Sequence, residues 1–183
     1  MTGSAASAIA GVPMSWEQFL ALPDDARAEY ADGRAYVNPP PSYAHQRICL
    51  RLRDLLVSRL GGRAVIVLGV GWRLPGGPPR LRIPDLMVLH GEPSGDLVTD
   101  APPVVVEVLS SNRGDDLVRK STEYLRAGAG QYWIVDPRDR VVDVYARTEA
   151  GWDHLAQLSD AAGEATFPTP FGELGLSLSE ILG

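Results

Sequence analysis

The 183-residue chain contains very little lysine, cysteine and histidine. Of its 17 basic residues all are arginine except Lys120, and it has one cysteine, Cys49, and three histidines. A single cysteine excludes an internal disulfide, and because Cys49 stands in an apolar helical pattern we expect an inert core residue. No spacing between histidine and cysteine indicates a zinc site. Arginine thus takes nearly every position that carries a positive charge, and the lone lysine needs an explanation.

Long hydrophobic runs are also missing. No window approaches the roughly 18 apolar residues that a membrane span needs, and the first thirteen residues lack the basic and apolar segments of a signal peptide. We therefore expect a cytoplasmic protein with no membrane partner. The net charge of -6 argues against a general nucleic-acid coat protein but leaves room for a local basic groove.

The remaining composition is that of one folded domain. The chain is 45% hydrophobic and 22% charged, which is typical of globular proteins. Its length, without a long linker, predicts a flexible arm at 1–13 and a single domain at 14–183.

The spacing of apolar residues predicts helices and strands in alternation. Ser15 with Gln18 indicates the start of a short helix, Ser42 caps a longer one that ends before Gly61, and a third is predicted at about 115–127. Strands are predicted at 35–37, 64–70, 72–74, 82–89, 104–109, 131–135, 141–145 and 152–158, with a closing helix near 179–182. This order predicts a mixed α/β sheet with helices on its faces.

The two most hydrophobic strands each contain one carboxylate, Asp85 and Glu107. An isolated buried charge costs several kcal/mol unless it is paired or bound to a cation. Side-chain alternation places Asp85 with Ile83 and Met87, so the two carboxylates converge if the strands are neighbours in suitable register. Two converging carboxylates suit a hard cation such as Mg²⁺ or Mn²⁺. The alternative is that arginines neutralise both.

Lys120 lies in the helix that follows the Glu107 strand. Leu117 and Tyr124 belong to the inward stripe of that helix, whereas Arg119, Glu123 and Arg126 are predicted to point outward. Lys120 falls at the margin of the inward stripe, which favours a role for its compact ammonium that arginine would not fill. The alternative is an ordinary exposed lysine with a buried stem.

Five short segments, spread over nearly the whole chain, form a further pattern. They are Glu29–Gly33 (EYADG), His45–Gln46 at a helix start, Ile83–Leu86 (IPDL), Val105–Ser110 (VVEVLS) and Gln131–Pro137 (QYWIVDP). Together with Lys120 the combination resembles the PD-(D/E)XK nuclease-like superfamily, in its Uma branch of restriction endonuclease-like proteins. Leu109 stands where the superfamily usually has its lysine, so the resemblance depends on Lys120 reaching back from the next helix, as is typical of that branch.

The resemblance implies a restriction endonuclease-like core, with a mixed central sheet flanked by helices in αβββαβ order, and a metal-dependent phosphodiesterase. In such a site Asp85 and Glu107 bind Mg²⁺ or Mn²⁺, the Val108 carbonyl completes the shell, and Lys120 orients the attacking water. Glu29 is implied as a further catalytic acid. Gln131 stands where relatives often have an acid, so it is a candidate accessory residue.

The remaining candidates concern accessory groups and the partner. His45, in the first turn of the arginine-rich helix, is a second candidate accessory residue. Five arginines are candidate phosphate contacts: Arg47, Arg51, Arg80, Arg82 and Arg113. DNA is the expected partner, RNA stays open, and a homodimer is expected because one small domain offers little surface for reading a duplex. Two other functions stay open: a nuclease-fold nucleic-acid-binding or regulatory module without hydrolysis, and, more weakly, a two-carboxylate glycosidase.

Overall fold

The structure is a computed structural model that describes residues 11–23, 26–110 and 114–183, the last range with side chains from Leu117 onward. Its helices are α1 (Trp16–Leu20), α2 (Tyr43–Leu60), α3 (Gly114–Arg126) and α4 (Leu178–Leu182). Its strands are β1 (Val12–Pro13), β2 (Ala28–Ala31), β3 (Arg34–Val37), β4 (Val65–Leu68), β5 (Trp72–Arg73), β6 (Leu81–Arg82), β7 (Leu86–Leu89), β8 (Val104–Val108), β9 (Gln131–Asp136), β10 (Val141–Thr148), β11 (Gly151–Leu158), β12 (Glu164–Thr169) and β13 (Gly172–Ser177). Among the described residues no helix is long and apolar enough to cross a membrane.

A six-stranded mixed sheet forms the centre of the fold, in the order β11-β10-β9-β8-β7-β4. Its parallel pair is β8 and β9, which α3 connects, and the other pairs are antiparallel. A parallel pair needs a crossover connection, and the helix predicted after Glu107 provides it. The predicted mixed α/β architecture is confirmed.

Helices α2 and α3 cover opposite faces of this sheet. Leu52 and Leu56 of α2 pack with Val106 and Trp133 in one core cluster, which also takes in the β12–β13 hairpin and α4. Tyr124 of α3 packs with Val105 and Met87 in a second cluster. Alternate residues of β7 and β8 therefore face different helices, as strand geometry requires.

A second sheet has the order β1-β3-β2-β6-β5. Its β2–β3 hairpin turns at Asp32 and Gly33, whose φ angles of 52° and 72° are both positive. This is the Asp-Gly turn that fits the twist of a two-residue hairpin. Strand β2 carries Glu29, so the hairpin brings the amino-terminal acid into the sheet that also contains β6.

The prediction of one continuous strand over 82–89 is wrong. Strand β6 ends at Arg82 in the second sheet, and β7 begins at Leu86 in the central sheet. Pro84 has no N–H to donate to a ladder, which explains a break at this point. As a result Asp85 lies where the chain passes from one sheet to the other.

Two further differences concern the ends of the chain. Strands β12 and β13 were not predicted, because Pro168, Gly172 and Gly175 give them a poor strand composition. Val12 and Pro13 pair with β3, so the last two residues of the predicted arm belong to a sheet. Residues 1–10 of that arm lie outside the described residues.

Candidate active site

The register of the central sheet brings Asp85 opposite Glu107. Leu86 pairs with Val106 and Met87 with Val105, and one more step along the same antiparallel register faces Asp85 with Glu107. The Val108 N–H donates a 2.8 Å hydrogen bond to Asp85 Oδ2, which fixes this carboxylate against the end of β8. The register and this hydrogen bond place Asp85 opposite Glu107 on the neighbouring strand.

Lys120 reaches into the same place from α3. Its side chain is only 4% exposed, and its Nζ lies 3.1 Å from Glu107 Oε1 and 3.0 Å from Glu29 Oε1. A buried ammonium needs carboxylate partners, and here it has one from each sheet. The ordinary exposed lysine that the sequence left open is excluded.

Burial dominates the electrostatics of Glu107. It raises the pKa of the Glu107 carboxyl to about 7, against the opposing effect of Lys120. Burial also raises the pKa of Tyr124, so its hydroxyl stays protonated and donates a 2.7 Å hydrogen bond to Glu107 Oε1. Within the described part of the chain Lys120 and Tyr124 both bond Oε1, and no hydrogen bond reaches Glu107 Oε2.

Glu29 is held on both of its oxygens. Oε1 accepts from the Ile83 N–H at 3.1 Å as well as from Lys120, and Oε2 lies 3.1 Å from Arg82 Nη1. Arg82 in turn donates from Nε and Nη2 to the two oxygens of Glu123, at 2.6 and 2.9 Å. These contacts lead from α3 through the second sheet and back to α3, in the order Lys120, Glu29, Arg82 and Glu123.

His45 contacts Asp85 from α2, which covers the face of the central sheet opposite to α3. His45 Nε2 lies 3.2 Å from Asp85 Oδ2, and the hydrogen bond to Asp85 raises the pKa of the imidazole to about 10. His45 Nδ1 lies 3.6 Å from the Cys49 sulfur, one helical turn further along α2. His45 therefore lies beside Asp85. Cys49 is a buried member of the core cluster, as expected, and its thiol lies next to the His45 ring.

Gln131 does not reach the site. Its side chain donates to the Pro168 carbonyl at 2.8 Å and accepts from the Trp133 indole at 3.2 Å. Gln131 shares its face of β9 with Trp133, which packs on the α2 side, whereas Glu107 shares its face of β8 with Val105 on the α3 side. The prediction of an accessory role for Gln131 is wrong, because its strand position aims it at the other layer.

The five arginines predicted to contact phosphate have different surroundings. Arg82 is 0% exposed and bound to Glu29 and Glu123, so it cannot contact a phosphate, and that prediction is wrong. Arg51 donates to the Leu182 carbonyl at 2.7 Å, and Arg47 is exposed on α2. Arg80 lies 2.9 Å from Asp32 and lines a cleft, and Arg113 lies outside the described residues.

That cleft has a volume of about 640 Å³ between α3 and the loop that leads from β5 to β6. Three arginines line it, Arg80, Arg119 and Arg126, together with the backbone of Gly76 and Gly77. Two carboxylates line the same cleft: Asp32, which lies 2.9 Å from Arg80, and Glu123, which also holds Arg82. With three arginines against two acids, the cleft has a net positive lining beside the buried carboxylate cluster in a chain that is acidic overall.

Sequence reasoning missed three members of the cluster. Tyr124 and Glu123 lie four and three residues after Lys120, a spacing that puts neighbours on one side of a helix and that signals Tyr124 as a partner of the same carboxylate. Glu123 was expected to point outward, but its side chain is only 11% exposed because Arg82 of β6 covers it. Cys49 was missed because the sequence near it offers only one other possible ligand, His45, four residues earlier on the same helix.

The donor set fits a hard divalent cation. Among the described residues no hydrogen bond reaches Asp85 Oδ1 or Glu107 Oε2, so each carboxylate keeps one oxygen for a ligand. Two carboxylate oxygens and a backbone carbonyl are the ligand type that Mg²⁺ and Mn²⁺ prefer. The raised pKa of Glu107 indicates a carboxylate whose buried charge its protein partners do not fully offset.

Comparisons with known proteins concern the fold and the family. A crystal structure of a putative nuclease belonging to DUF820 from Anabaena variabilis superposes with a TM-score of 0.75 at 21% sequence identity, and the match covers 93% of this chain and 98% of that chain. The comparison with curated proteins found no match. The Uma2 family model, described as a putative restriction endonuclease, matches residues 16–179. Because that match spans most of the chain, this protein belongs to the Uma2 family of putative restriction endonucleases.

Proposed function

We propose that the protein is a Mg²⁺- or Mn²⁺-dependent endonuclease that hydrolyses DNA phosphodiester bonds, with Asp85 and Glu107 as metal ligands and Lys120 beside the attacking water. The observation that carries this proposal is the position of the lone lysine. Its ammonium is buried against Glu107 and Glu29, and the register of β7 and β8 places Asp85 opposite Glu107. A charge buried at this cost is typical of a functional site.

A bound cation would polarise a phosphoryl oxygen and lower the pKa of a bound water. Glu107 Oε2, Asp85 Oδ1 and the Val108 carbonyl are the proposed ligands. The ammonium of Lys120 lies between Glu107 and Glu29, next to the proposed ligands. A positive charge at this point stabilises the negative charge that develops on the phosphoryl group.

Glu29 acts in this proposal as a positioning residue rather than as a metal ligand. Its Oε1 accepts from Ile83 and Lys120 and its Oε2 from Arg82, so protein donors occupy both oxygens. By bonding Lys120 it holds the ammonium at a fixed distance from Glu107. Arg82 holds Glu29 in place through the contact of its Nη1 with Glu29 Oε2.

The cleft lined by Arg80, Arg119 and Arg126 is the proposed phosphate-contacting surface. Arginine forks match phosphate geometry, and the Gly76–Gly77 backbone leaves room for a close approach. Because Glu123 lines the cleft and bonds Arg82, nucleic acid bound there lies next to the network that positions Lys120.

The test is cleavage of supercoiled plasmid by the wild-type protein and by Glu107→Gln, each with Mg²⁺, with Mn²⁺ and with excess EDTA. We expect metal-dependent nicking by the wild type, and at least a hundredfold slower nicking by Glu107→Gln. Cleavage that persists in EDTA would contradict the mechanism. Absence of cleavage with either metal, together with DNA binding that survives loss of both carboxylates, would favour a non-hydrolytic binding module instead.

A further inference from the structure

Helix α2 presents a second set of metal-ligand types to Asp85. His45 and Cys49 lie four residues apart and therefore on one face of the helix. Cys49 Sγ is 3.6 Å from His45 Nδ1, and His45 Nε2 is 3.2 Å from Asp85 Oδ2. One ligand atom from each of the three residues lies within 4.8 Å of the other two.

The chemistry of this set differs from that of the carboxylate pair. A thiolate, an imidazole and a carboxylate suit a borderline ion such as Zn²⁺ or Co²⁺, whereas Mg²⁺ avoids sulfur. Tetrahedral Zn²⁺ at about 2.3 Å from sulfur and about 2.0 Å from nitrogen separates those two atoms by roughly 3.6 Å. The Cys49–His45 separation already has this value. The imidazole presents Nδ1 to the thiol and Nε2 to the carboxylate, so binding requires the Asp85 side chain to move toward the side of the ring that faces Cys49.

We propose that His45, Cys49 and Asp85 form a binding site for Zn²⁺ or a similar borderline cation, distinct from the hard-cation site of Asp85 and Glu107. Water completes the tetrahedron. Binding releases one proton from the Cys49 thiol and one from the protonated His45 imidazole to solvent. Asp85 belongs to both sets, so occupancy by Zn²⁺ lowers the affinity of the carboxylate pair for Mn²⁺. Only this second consequence rests on the proposed nuclease function.

The lone cysteine makes the experiment unambiguous. Co²⁺ bound by a thiolate gives a strong near-ultraviolet charge-transfer band, and any such band in this protein must come from Cys49. We expect the reduced wild-type protein to develop the band with one equivalent of Co²⁺ and to lose it when Zn²⁺ is added. A folded wild-type protein that binds Co²⁺ without this band would overturn the proposal.

Three variants separate the two sites. Cys49→Ala should remove the band while Mn²⁺ affinity, measured by calorimetry, stays within about twofold. Because Cys49 is buried and its replacement can disturb the core, His45→Gln is the second variant, and it should weaken Co²⁺ affinity at least tenfold with the thiol still present. If His45→Gln still shows the band and binds Co²⁺ with unchanged affinity, the thiol binds the ion without the proposed partners. That result would contradict the site.

Glu107→Gln is the matched control for the other site. It should keep the Co²⁺ band and lose Mn²⁺ binding, because Glu107 belongs only to the carboxylate pair. In the wild type, one equivalent of Zn²⁺ should weaken Mn²⁺ binding at least tenfold, and unchanged Mn²⁺ affinity would contradict competition for Asp85. The cobalt spectrum does not depend on DNA cleavage. A result that contradicts the Zn²⁺ site therefore leaves the nuclease proposal standing, and a result that contradicts the nuclease proposal leaves the Zn²⁺ site standing.

Discussion

Lys120 shows why one side chain in an arginine-rich protein stays lysine. Its Nζ lies about 3 Å from carboxylate oxygens of both Glu107 and Glu29, and Tyr124 occupies the remaining side of Glu107 Oε1. A compact ammonium fits between two carboxylates that a planar guanidinium would push apart. The site therefore selects lysine by size and shape as well as by charge.

Replacing Lys120 with arginine tests this residue directly. Lys120→Arg keeps the positive charge, and we predict at least a tenfold loss in the rate of metal-dependent DNA cleavage because the longer, planar group displaces Glu107 or the attacking water. Mn²⁺ affinity should fall less than in Glu107→Gln, because Lys120 is not itself a ligand. Single-turnover cleavage kinetics measure the effect, and full wild-type activity would show that the lone lysine is a chance of composition.

The buried Glu107 carboxylate predicts a pH dependence of stability. Burial raises its pKa to about 7 in the folded protein, from the ordinary value of 4.5 in the unfolded chain, so the folded state binds the proton more tightly. Stability of the metal-free protein should therefore fall as pH rises from about 4.5 to about 7, by a few kcal/mol from this group alone, and level off above.

Urea unfolding of the wild type and Glu107→Gln in EDTA isolates that contribution. The glutamine variant has no proton to lose at this position, so it should gain stability relative to the wild type as pH rises from 5 to 8. His45, whose pKa is about 10, is present in both proteins and cancels in the difference. A difference in stability that does not vary with pH would contradict a raised pKa at Glu107.

At the scale of secondary structure, capped and strongly periodic elements were predictable from the sequence. The Ser15–Gln18 capping box, the Ser42 cap of α2 and the helix between β8 and β9 all occur as predicted. Local signals failed where tertiary pairing decides the outcome. Pro84 divides one apolar run between two sheets, and β12–β13 forms because Phe167, Leu174 and Leu176 pack on the α2 core despite a poor strand composition.

The β2–β3 turn offers a prediction with a close control. Gly33 has a φ of +72° with no atom near its missing Cβ, so Gly33→Ala meets backbone strain but no collision. We predict a loss of about 1–2 kcal/mol in unfolding free energy. Gly62 has equally open space without a positive φ, so Gly62→Ala should be neutral or slightly stabilising. Equal thermal shifts for the two variants would contradict the strained turn that holds Glu29 in its sheet.

At the scale of the whole molecule, a net charge of -6 coexists with a concentrated basic cleft. The sequence indicated Arg80 and Lys120 but not Arg119 or Arg126 as functional candidates, because outward positions on a helix are ordinarily solvated. The position of the β5–β6 loop over α3 determines that these side chains line a cavity. Such long-range packing is not readable from periodicity. Strand alternation assigned each carboxylate to a face of its strand, and the pairing of β7 with β8 supplies the register that places Asp85 opposite Glu107.

The cleft predicts where nucleic acid binds. Arg126→Ala should weaken binding to duplex DNA about three- to tenfold and lower the salt dependence of the affinity by about one phosphate contact. Arg138→Ala, an exposed arginine in the β9–β10 turn that does not line the cleft, should leave both unchanged. Fluorescence anisotropy at several salt concentrations provides the measurement, and equal losses in the two variants would show only a general charge effect.

The central claim is that Asp85 and Glu107 together hold a divalent cation, and calorimetric titration with Mn²⁺ tests it most directly. We predict one site in the wild type, at least a tenfold loss of affinity in Asp85→Ala and in Glu107→Gln, and an essentially unchanged affinity in Cys49→Ala. Circular dichroism checks that each variant is folded. Wild-type affinity for Mn²⁺ in folded Asp85→Ala or Glu107→Gln would contradict the account.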